Sequence, residues 1–202
     1  VEVREFAFET MKQVAGWRAA GRKMARQVLK AGDFLLWLGG NHLGVLPVLE
    51  ELGRDTLVIQ FDAHLDVYAF HDTTTELSHG NYLKHFAGPR PRLVGVGHRD
   101  LFLTPAEITE TFEAVYSAVD VATDPDRVAA EVRRLAAGAK RVQQPLPFGL
   151  TGPAFLRLFE AAWAGRVCGL SVSEFDPGRD VRDTGLNLLG WLVEHTLLKA
   201  SG

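Results

Sequence analysis

Cysteine is nearly missing from this chain: Cys168 is the only one in 202 residues, so no internal disulfide can form. It lies in the apolar run RVCGLSV, where a buried structural thiol in a reducing cytoplasm is the expected reading. Charge of one sign is also lacking. A formal net charge of −3 with scattered Lys and Arg gives no basic face for nucleic acid or for an anionic membrane, which leaves a small molecule as the expected partner. No segment approaches the roughly 20 apolar residues that a membrane span requires, and VEVREFAF is not a leader with a basic start and an apolar centre. No internal repeat or low-complexity tract interrupts the chain.

What is present is alternation. With 47% hydrophobic residues the chain can bury one sizeable core, and a single domain over 1–202 is expected. Residues 9–30 space their apolar positions as an amphipathic helix that stops at Gly32. FLLWLGG (34–40) and TLVIQFDA (56–63) are short continuous apolar runs, the pattern of strands covered on both faces, and HLGVLPVLEELG between them reads as a helix. RLVGVG (92–97) and RVCGLSV (166–172) read as further strands, and SAVDV (117–121) as a short one. Helices are expected over 105–116, 125–138, 151–165 and 186–200. This order predicts a three-layer α/β/α sandwich with a mainly parallel sheet.

In such sheets ligands gather beyond the carboxyl ends of the strands. Three strands end there in acids and imidazoles: GGNH (39–42), FDAHLD (61–66) and SEFDP (173–177). Asp62, His64 and Asp66 alternate, so an extended chain sends all three to one side, where His42 adds a fourth donor. Carboxylate oxygens with imidazole suit Mn²⁺, Fe²⁺, Ni²⁺ or Zn²⁺, and the absence of clustered cysteines removes thiolate sites.

GGNH, DAHLD, LSHG (77–80) and EFDP (174–177), in this order, resemble the motifs GGDH, DAHxD, SHG and ExNP of the ureohydrolase superfamily of arginases, agmatinases and formimidoylglutamases. The resemblance implies two Mn²⁺ ions that activate water against a guanidinium or formimino carbon. It places His42, Asp62 and Asp66 on one ion and Asp62 and His64 on the other. His79 resembles the residue that shuttles a proton to the leaving amine, and Glu174 the carboxylate that pairs with the cationic substrate. Trimers or hexamers in the cytoplasm are implied as well.

Three departures stand out. The family draws further metal ligands, including a bridging aspartate, from a strand motif SxDxDxxDP that is not found here. By register that strand should fall near 142–143, where it is either lost from the chain or absent from the sequence between Val142 and Gln143. Asn41 replaces the usual Asp, which removes a negative charge behind His42. Tyr68 stands where arginases carry a small polar side chain, which favours an agmatinase-like or formimidoylglutamase-like substrate over arginine. The reading is thus a binuclear manganese hydrolase of linear guanidino or formimino compounds. The alternative is a silent or mononuclear-metal member of the fold that acts as a binding or structural subunit.

Overall fold

A computed structural model describes residues 2–5, 7, 9–69, 76–146, 150–180 and 182–201; His71 and Asp72 of the loop HDTTT lie outside them. Among the described residues six parallel strands form one sheet: β1 (Leu35–Leu38), β2 (Thr56–Phe61), β3 (Arg92–His98), β4 (Ala114–Ser117), β5 (Arg141–Leu146) and β6 (Val167–Val172). Their order across the sheet is β1-β6-β5-β2-β3-β4. The α-helices are α1 (Val14–Ala31), α2 (Leu46–Leu49), α3 (Pro105–Thr111), α4 (Ala118–Thr123), α5 (Pro125–Ala137), α6 (Gly152–Ala162) and α7 (Thr184–Ser201). No helix among the described residues is long and apolar enough to cross a membrane.

β2 shows why the continuous apolar runs become interior strands. Its six residues are all buried. Leu57, Ile59 and Phe61 face the core made with Val128, Val132, Leu158 and Phe159 of α5 and α6. Val58 points the other way, into the core made with Ala25 and Leu29 of α1 and with Val48 and Leu49 of α2. Each face of the sheet thus has its own helical layer, and the polar connections are left to the strand ends.

Residues 105–121 depart from the sequence reading. The helix expected over 105–116 ends at Thr111, the strand is AVYS rather than SAVDV, and α4 occupies 118–123. The cause is local. Ser117 accepts from the amide of Asp120, whose carboxylate accepts from the Ser117 amide at 2.9 Å, a reciprocal cap that starts a helix where the reading has a strand.

Around 142–143, where part of a strand is expected to be missing, β5 pairs with β2 through Thr56↔Arg141 to Val58↔Gln143 and with β6 through Gln143↔Gly169 to Leu146↔Val172. The pairing with β6 slips by one residue between Val142 and Gln143. A strand therefore runs where the aspartate strand is expected, but no Asp, Glu, His or Cys occurs from Arg141 through Gly152.

α2 follows directly on the turn that carries His42, and a buried carboxylate fixes it. Glu50 accepts from both Nε and Nη2 of Arg18 on α1 and from the amide of Ala87 at 2.8 Å, with its side chain fully enclosed. Arg18 also donates to the carbonyl of His85 at 2.7 Å. Glu50→Ala strands the guanidinium and the amide, so we expect a loss of about 3 kcal/mol. A thermal melt should show this as a fall of about 10 °C at this chain length.

Candidate metal centre

β2 ends at Phe61, but its ladder continues for one residue, because the Asp62 amide donates to Val96 O at 3.0 Å. The chain then turns. Asp66 sits in the left-handed region (φ 50°), which Asp tolerates better than most side chains because its short carboxylate bonds locally. This turn brings Asp62 and Asp66 to the same point and leaves His64 outside it: both aspartates are buried, while the His64 side chain is 68% exposed. Period two does not carry past Asp62, so His64 does not converge with the aspartates as an extended strand would require.

His42 arrives from the end of β1. The β1 turn is held by the end of β6: Gly39 N–H donates to Val172 O at 2.8 Å, Glu174 N–H to Gly40 O, and His42 N–H to Glu174 Oε1 at 2.9 Å. Glu174 adopts φ 60° to make this clamp, a strained backbone at the position that the sequence singles out. Its carboxylate thus fixes the turn that presents His42. Asn41, the residue before, makes no side-chain cap to this turn.

The three side chains meet in one place. His42 Nδ1–H donates to Asp66 Oδ2 at 2.7 Å and lies 2.9 Å from Asp62 Oδ2. One donor atom from each of the three lies within 4.8 Å of the others. Gln60, the one amide side chain of β2, donates from Nε2 to Asp62 Oδ2 at 3.0 Å and to Asp66 Oδ2 at 3.4 Å. The sequence reading gave Gln60 no role, although a lone amide in TLVIQF, two residues before Asp62 and so on the same face, is the signal that could have found it.

Electrostatics follow from burial. Burial alone pulls the His42 imidazolium down, but the hydrogen bonds and charges of Asp62 and Asp66 outweigh it and raise its pKa to about 10. Burial pushes the Asp66 carboxyl up to about 6 against the pull of His42, whereas Asp62, facing His42 and Gln60, is held below the usual carboxylate range. One imidazolium between two carboxylates leaves the group one charge negative. The cluster fits a divalent cation of hard or borderline preference: two carboxylate oxygens and one imidazole nitrogen already converge, with the Nδ1 proton between them.

A cavity of about 520 Å³ opens over Asp66, lined by His64, Tyr68, His79, Arg99, Asp100 and Phe102 among others. His79 therefore lines the same cavity as His64 and Asp66. Glu174 is not on this wall. Tyr68 is buried, its hydroxyl accepts from the Leu65 amide at 3.3 Å, and burial with the nearby Asp100 raises its pKa. His98 lies outside the lining, and burial lowers its pKa.

Comparison with known proteins bears on family and fold. A model described as the arginase family matches residues 6–142. The chain belongs to the arginase family. An arginase of Agrobacterium fabrum is 27% identical over 89 residues, which cover 41% of this chain and 28% of that protein. Among solved structures, an arginase from Bacillus subtilis superposes with a TM-score of 0.74 at 18% identity, covering 91% of this chain and 80% of its own. The agmatine ureohydrolase of Thermoplasma volcanium gives 0.68 at 21% identity, covering 91% and 69%. A hypothetical agmatinase from Burkholderia thailandensis gives 0.65 at 20%, with 62% of that chain covered. The arginase-family fold is thus shared over most of this chain, which covers about three to four fifths of the length of those solved chains and about a quarter of the curated relative.

Proposed function

We propose that this arginase-family chain is a metal-dependent hydrolase that cleaves a C–N bond of a linear guanidino or formimino compound, as agmatinases and formimidoylglutamases do. The observation that carries this reading is the convergence of His42, Asp62 and Asp66 beneath a cavity that His79 lines. A divalent cation there, manganese by the resemblance, supplies Lewis acidity that makes hydroxide available near neutral pH. The protein's share is positioning and proton transfer. Asp62 and Asp66 hold two negative charges that only a cation or the His42 proton balances, and Gln60 and Glu174 fix the orientation of the carboxylates and of the His42 turn. His79, exposed at the cavity wall, delivers a proton to the departing amine, a task suited to an imidazole near pH 7. Water adds across the central carbon, so a guanidino substrate gives an amine and urea, and a formimino substrate gives an amine and formamide. Tyr68 lines the cavity at a position where, by the resemblance, arginases carry a small polar side chain, which favours agmatine, guanidinobutyrate or formiminoglutamate over arginine. A trimer or hexamer in the cytoplasm belongs to the same reading.

The test is to supply Mn²⁺ to the purified chain and to follow urea or formamide release from these compounds. His79→Asn should lower kcat by about a hundredfold or more, in line with the usual contribution of a general acid, while Mn²⁺ content stays the same. An unchanged kcat would remove His79 from proton transfer. A second reading, a silent binding or structural subunit, is favoured by the lack of carboxylates on β5, and failure to turn over any of the compounds with Mn²⁺ bound would establish it.

A further inference from the structure

The resemblance implies two manganese ions, and the donors of this chain do not fit two. Two of the three carboxylate and imidazole donors that converge come from the turn after β2 and one from the turn after β1. The second ion would lie between Asp62 Oδ1, His64 and the strand beside β2, and each of these is otherwise engaged or empty of donors. Asp62 Oδ1 already accepts the His64 amide at 3.0 Å. The His64 ring is turned to solvent, with Nδ1 at 3.7 Å from Asp62 Oδ1. β5, the neighbour of β2, offers no carboxylate, imidazole or thiol from Arg141 through Gly152.

The interior next to it is filled by neutral groups. Gln143 is fully buried on β5, and its Nε2 donates to Ser171 Oγ of β6 at 2.9 Å. Ser173, at the end of β6, is buried as well. Hydroxyls and amides are weak ligands for a hard dication compared with carboxylates. Charge leads to the same result. One dication with Asp62, Asp66 and a neutral His42 makes a balanced site, whereas a second would leave two uncompensated positive charges beside a dry interior.

We infer that this chain binds a single divalent cation, on His42, Asp62 and Asp66, and that the second ion position implied by the family resemblance is closed. This deepens the cation site of the proposed function and rests on it. The test is a count of bound metal that does not depend on turnover. The intact chain is stripped with chelator, equilibrated with Mn²⁺ alone, freed of excess ion and assayed for manganese per chain by mass spectrometry and by electron paramagnetic resonance. One ion per chain, with the hyperfine pattern of isolated Mn²⁺, is expected. His64→Ala should leave that count at one, and Asp66→Asn should bring it close to zero at the same free Mn²⁺. Two ions per chain, or the spectrum of a coupled pair, overturn the inference while leaving the hydrolase reading intact. One ion without turnover of any guanidino or formimino compound supports the inference and overturns the hydrolase reading. No bound ion overturns both.

Discussion

Asp66→Asn should cost the protein its cation and its hydrolytic activity without costing it its fold. Removal of a partner one layer behind a ligand already weakens metal binding by about 10–100-fold, so loss of a ligating carboxylate should weaken Mn²⁺ by about a hundredfold or more. Stability should move the other way. Asp66 is the carboxylate that burial disfavours, its pKa pushed up to about 6, and it leaves the His42, Asp62, Asp66 group with one net negative charge. The amide keeps a hydrogen-bond acceptor for His42 and removes that charge, and Asn adopts the left-handed backbone at φ 50° as readily as Asp. The metal-free variant should therefore be as stable as the parent or more stable by about 2 kcal/mol. Calorimetric Mn²⁺ titration and urea denaturation in chelator measure the two halves separately. A variant that unfolds in chelator would show that Asp66 holds the turn together rather than waiting for a cation.

The second large effect is a pH dependence that a cation abolishes. In chelator, His42 is raised from an ordinary 6.5 to about 10, chiefly because the aspartate hydrogen bonds and charges overcome its burial. The stabilisation that its proton provides is complete below pH 6.5 and is lost as pH rises toward about 10. Asp66 contributes with the same sign in a lower window: its raised pKa costs stability as pH rises from its ordinary value to about 6, and above that the cost is constant. Between pH 7 and pH 9 the slope is due chiefly to His42, and above pH 9 the Cys168 thiol, raised by burial, adds to it; from the His42 proton the metal-free protein should lose on the order of 3 kcal/mol by pH 10. With Mn²⁺ saturating, the ion takes the place of the proton and the slope should flatten, since binding then releases about one proton per ion below pH 10. Denaturation curves across this range with and without Mn²⁺ check this, and parallel curves would contradict it.

Much of this arrangement was legible in the residues themselves. Continuous apolar runs marked β2 and β6 because both faces of those strands are covered, and the acids after them marked the rim where the cluster forms. The shape of the DAHLD turn was not legible. Strand alternation predicts that His64 joins the aspartates, but alternation holds only while the chain is extended, and the left-handed Asp66 ends it. Glu174 was marked as a partner of the substrate, whereas its Oε1 secures the amide of His42, a tertiary contact across 132 positions that no local pattern encodes. The Ser117 and Asp120 cap shows the opposite failure: the S-x-x-D signal was in the sequence, and β propensity in SAVDV obscured it. RVQQPL lacked the expected motif, yet it fills the strand position, because sheet pairing needs a backbone more than particular side chains.

Among the described residues β1 is an edge strand, only four residues long and bonded on one side, whereas β2 lies inside the sheet. The imidazole is thus carried by the part of the sheet that frays first, and the two aspartates by a part that opens only with the whole domain. A cation bound as proposed would exchange without global unfolding, because breathing of this border would withdraw one donor, and the border's opening frequency would set its residence time.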